Sequence, residues 1–178
     1  LLPYLEDWNS DLILKHSRAY QNTPGEGFIL PSGILHAPGT AVTIELQEDS
    51  DVFSMLQALA GGKIISKELL YKDISKQDRE KYKERAVLDQ INWKDSADPY
   101  FYENYHLEPQ LIEEQEGGRE YWIYYGTNKF SGKKLVVEPG GEFTSKDNGV
   151  YNIVVWKGKG IYGGNVIEAG NFGLDELM

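Results

Sequence analysis

The chain has 178 residues, 40% of them hydrophobic, and a formal net charge of −10. That is apolar material for one sizeable domain or two small ones, which argues against wholesale disorder, and the acid excess argues against the basic footprint that nucleic acids and anionic membranes require. Cysteine is absent, so disulfides, thiolate metal sites and a cysteine nucleophile are excluded.

The N-terminal stretch "LLPYLEDWNSD" has neither a basic n-region nor a continuous apolar h-region, so it does not read as a signal peptide. No apolar run approaches the roughly 18 residues of a membrane span. A cytoplasmic setting is compatible with these features. The chain begins without Met and stops on "GNFGLDELM", and we expect a part of something longer.

Residues 12–57 are predicted to be mostly β-structure with tight turns. In "VTIEL", Val42, Ile44 and Leu46 alternate with Thr43, Glu45 and Gln47, the period of a strand with one buried face. "DVFSML" reads as a second short strand. Residues 66–91 differ: they lack Gly and Pro, are crowded with charge, and pair Ser75 with Asp78 in the manner of a capping box. They are predicted to form one or two surface helices linking two β regions. From residue 99 onward, aromatic and β-branched runs are cut by Gly pairs, which is hairpin punctuation. The expected fold is therefore mainly β, with antiparallel barrel or sandwich elements. The expected divisions are 1–62, a helical linker over 63–98, and a second β region over 99–178.

The segment "PGEGFILPSGILHAPGT", Pro24 to Thr40, concentrates turn chemistry around one histidine. Pro31 fixes φ and Gly33 permits a positive φ, so a turn is expected just before His36. An imidazole held this way suits a metal ligand, which must be aimed. The alternative is a structural histidine at the end of a strand.

The spacing Gly25-x5-Pro31-x-Gly33-x2-His36 resembles the second conserved motif of the cupin superfamily, with Thr40 where that motif has Asn. "PSGILHA" in particular is similar to the matching stretch of cupin-type mannose-6-phosphate isomerases. The resemblance implies a cupin-like antiparallel barrel or jelly roll. It also implies that His36 binds a divalent metal, zinc before manganese or iron. The remaining ligands of that family come from an earlier motif, which does not occur upstream of residue 25; His16 has the wrong spacing. Counting from Gly140, the frame of that earlier motif recurs downstream and closes on Gly160. Lys146 and Asn148 stand at its two His positions, and Asn152 or Ile153 stands at its Glu position. A barrel built around that segment is expected to be metal-free.

The activity implied is aldose–ketose isomerisation of a sugar phosphate, with the metal as Lewis acid and an unidentified base moving the proton. The alternative is a non-catalytic cupin that binds a sugar or serves as a scaffold. Glu45 and Gln47 are candidate sugar-binding residues if their polar face lines a barrel lumen, and solvated residues otherwise. His106 and Glu108 form a conceivable ligand pair, because residues two apart on an extended chain share a side. The acidic run Glu48–Asp51 lacks the spacing of a Ca²⁺ loop. No phosphate-loop glycine pattern and no G-x-S-x-G element is present. Expected partners are a small sugar or sugar phosphate, together with a second copy of the chain or the rest of a longer one; nucleic acid and membrane are not expected.

Overall fold

The computed structural model describes residues 1–39, 41–49 and 52–170. Thr40, Ser50, Asp51 and the ending 171–178 lie outside the described residues. The chain divides into two compact units, Leu1–Phe143 and Thr144–Met178.

The first unit begins with helix α1 (Leu2–Asp7), which has Pro3 in its first turn, where a missing N–H costs nothing. The helix ends on Trp8 in a left-handed conformation, φ 45°. That sharp stop turns the indole back so that its N–H donates to the Ile65 carbonyl at 2.9 Å. A 3-10 turn follows at Leu12–His16. Leu5, Trp8, Ile13, Ala58, Leu70, Tyr71 and Val87 form the buried core, with Leu56, Ile65 and Ile74 packed at its edge. The core is thus gathered from α1, two 3-10 turns and the helical segment, rather than from sheet faces.

The segment expected to be helical is helical. Ser66 caps the 3-10 turn Lys67–Tyr71 by accepting from the Glu68 N–H. Ser75 accepts from the Asp78 N–H at 3.1 Å and donates to its carboxylate at 2.7 Å, starting α2 (Lys76–Tyr82) as the capping box predicts. Lys83, at φ 50°, breaks the run before α3 (Glu84–Leu88). A short helix, α4 (Trp93–Ser96), follows, and another, α5 (Phe101–Tyr105), lies where the second β region is expected to begin.

The strands are short and antiparallel. β1 (Gly27–Phe28) pairs with β4 (His106–Leu107), placing Phe28 opposite His106. β2 (Leu59–Ala60) and β3 (Lys63–Ile64) form a hairpin over Gly61 and Gly62, both at positive φ as the turn requires. β5 (Gln110–Gln115), β6 (Gly118–Tyr124) and β7 (Gly132–Val137) make a three-stranded meander. Within it Glu120 is 2% exposed, and Lys133 Nζ lies 3.4 Å from its carboxylate and 5.0 Å from the Trp122 ring centre. The second unit contains a hairpin of β8 (Lys159–Tyr162) and β9 (Asn165–Glu168).

Strand makes up 21% and helix 22% of the described residues, so the fold is mixed, with small antiparallel sheets and no closed barrel among them. Two expected strands are absent. "VTIEL" and the part of "DVFSML" that is described carry no ladder, and residues 41–49 are all exposed. Alternation favours a strand only when a neighbouring chain supplies the ladder bonds, and none does so here among the described residues.

Candidate functional site

His36 is positioned by the turn that precedes it. Pro31 and Ile34 close that turn through an Ile34 N–H to Pro31 carbonyl bond of 3.3 Å, with Gly33 at φ 82°. This is the third position of a type II turn, which glycine alone occupies readily. The turn is clamped to α4. The Asn92 N–H donates to the Gly33 carbonyl at 2.9 Å, and the Leu35 N–H donates to Ser96 Oγ at 3.1 Å. A side chain at position 33 would stand 3.1 Å from both the Asn92 nitrogen and the Gln90 oxygen. Ile34 is 5% exposed.

The His36 ring is exposed, and its Nδ1 lies 2.9 Å from the Ile34 carbonyl. A carbonyl can only accept, so Nδ1 carries the proton and donates. The lone pair is then on Nε2. Ligating histidines commonly have this arrangement, in which the second ring nitrogen is tied to a backbone carbonyl. One imidazole is nevertheless one ligand, and catalytic zinc usually takes three from the protein. Among the described residues no group of three His, Asp or Glu side chains is placed to hold a metal. The described residues therefore do not make a complete metal site.

The other sequence-predicted residues lie elsewhere. His36 follows its turn in a loop, not on a strand. Glu45 and Gln47 are exposed on the unpaired segment 41–49, which touches the meander where the Tyr124 hydroxyl donates to the Ile44 carbonyl at 2.7 Å. The Tyr124 phenol is held above its usual range by burial and by the Glu45 charge. His16 meets the Tyr4 hydroxyl at 3.0 Å. Of the acidic run, Ser50 and Asp51 lie outside the described residues, as does Thr40.

His106 and Glu108 are brought together, as their spacing allows, and line one cleft of about 400 Å³ with Tyr102, Glu103, Gln110 and Tyr125. The His106 side chain is 7% exposed, with Nε2 2.9 Å from the Glu26 carboxylate and 3.3 Å from the Tyr102 hydroxyl. The Tyr102 ring stacks on it, centres 4.2 Å apart. Glu26, Tyr102 and Tyr125 did not emerge from the sequence. Tyr102 and His106 stand four apart, the spacing of neighbours on a helix, which is a usable signal. Glu26 reaches His106 only through the pairing of β1 with β4, a contact 80 residues apart along the chain.

Comparison with protein-family models, with curated proteins and with solved structures returned no match.

Proposed function

We propose that the chain is a relative of cupin-type sugar-phosphate isomerases, with His36 as one ligand of a divalent metal, zinc before manganese or iron. On this reading the antiparallel sheets are elements of cupin barrels, and the other metal ligands come from beyond the described residues. The observation that supports it is that the His36 ring follows a turn locked to α4 and has Nδ1 committed to the Ile34 carbonyl. The sugar phosphate is the substrate, and Glu45 and Gln47 are candidate contacts to its hydroxyls. Metal analysis of the purified full-length protein, as made and after incubation with zinc, tests the proposal. One equivalent that is lost in His36→Ala supports it, and metal content unchanged in that variant contradicts it.

The second reading is a non-catalytic sugar-binding or scaffold relative. It is favoured by the lack, among the described residues, of any group of three His, Asp or Glu side chains placed to hold a metal. Lys146 and Asn148, standing where the resemblance wants histidines, favour it too. No metal in the native protein, with folding unchanged in His36→Ala, selects this reading.

A further inference from the structure

The cleft beside His106 is a different place from the His36 turn, and its chemistry is of another kind. Its polar lining is Tyr102, Glu103, His106, Glu108, Gln110 and Tyr125, with no Lys or Arg. Glu26 is taken up by His106. Glu103 and Glu108 are exposed and have no cationic partner within salt-bridge distance among the described residues.

The aromatic walls are held in place. Tyr102 stacks on the buried His106 ring, and the Tyr125 hydroxyl donates to the Glu108 carbonyl at 2.8 Å. These bonds keep both phenols from turning away, so the cleft exists before any ligand arrives. The carboxylates converge on it. Removal from water, and then the charges of Glu26, Glu108 and Glu103, hold the Tyr102 phenol above its usual range. Electron-rich ring faces beside unpaired carboxylates attract a positive charge through both the ring quadrupole and Coulomb's law. The same field repels phosphate and carboxylate groups.

We propose that this cleft binds a small organic cation through its ammonium group, with the rings of Tyr102 and Tyr125 and the carboxylates of Glu103 and Glu108 as its partners. The volume of about 400 Å³ admits a ligand of choline size. The site is independent of metal binding at His36.

The test is a calorimetric titration of the full chain with choline and with its uncharged isostere 3,3-dimethyl-1-butanol, at low and moderate salt. Chemical shifts of the His106 ring are followed in parallel. We expect choline to bind at least about tenfold more tightly than the isostere, a difference of about 1.4 kcal/mol. We also expect its affinity to fall with salt and the His106 resonances to move. The Glu103→Gln, Glu108→Gln double variant, whose side chains are exposed, should lose about tenfold in choline affinity. Glu114→Gln, on β5, should lose nothing. Equal affinity for the two probes, choline binding that leaves His106 unmoved, or a double variant that binds as the parent does would each overturn the proposal.

Discussion

Glu84 is a carboxylate taken out of water and kept charged. It is 8% exposed, and Lys67 Nζ stands 2.6 Å away. Burial pushes its pKa up, but hydrogen bonds from Lys67 and Tyr71 outweigh that and hold it below the usual range. Burial and the Glu84 charge push the Tyr71 phenol up in turn. The sign follows from linkage. A carboxyl whose folded pKa is depressed adds stability above its unfolded value, about 4.3, and loses it as pH falls through the folded value. Urea unfolding of the parent should therefore weaken below about pH 4.3, and Glu84→Gln should show a flatter acid limb. At neutral pH, Glu84→Ala should cost about 2 kcal/mol, because it strands Lys67 and Tyr71; the partial exposure of Lys67 keeps the loss below that of a fully buried pair. Leu5, fully buried in the same core, should cost about 2–5 kcal/mol on truncation to Ala in the same urea experiment.

Among the elements, those specified by neighbours in sequence are the ones that sequence reasoning finds. Ser75 and Asp78 are three apart and cap α2 without help from the rest of the molecule. Ser75→Ala should cost about 1 kcal/mol in thermal or urea unfolding. The turn at Pro31–Ile34 was equally legible, because only the types of its own residues matter. Its docking on α4 was not, because Asn92 and Ser96 lie some sixty residues away. Gly33→Ala should cost about 1–3 kcal/mol, since it strains both φ and the contact with residues 90–92. It should also disturb His36, which would appear as a shifted ring resonance in a still-folded protein. "VTIEL" failed as a strand for the complementary reason. Period-two alternation is a local signal, but a ladder needs a partner from elsewhere. The cleft was half legible: His106 and Glu108 share one short segment, while Glu26 arrives through strand pairing and Tyr125 from just after β6.

At the scale of the whole molecule, the helical half carries the core and the meander carries the buried Glu120–Lys133 pair. Among the described residues, no helix is long and apolar enough to cross a membrane. The net charge of −10 makes a prediction of its own: duplex DNA should show no mobility shift with the protein even at low salt, where a basic patch would act most strongly.

The imidazole of His36 decides most. A long-range ¹H–¹⁵N spectrum of its ring, recorded on the full chain before and after one equivalent of zinc, is the most direct measurement. The Nδ1–H tautomer is expected in the free protein, with a displaced Nε2 resonance once zinc is added. An Nε2–H tautomer, or a ring indifferent to zinc, would contradict the proposal.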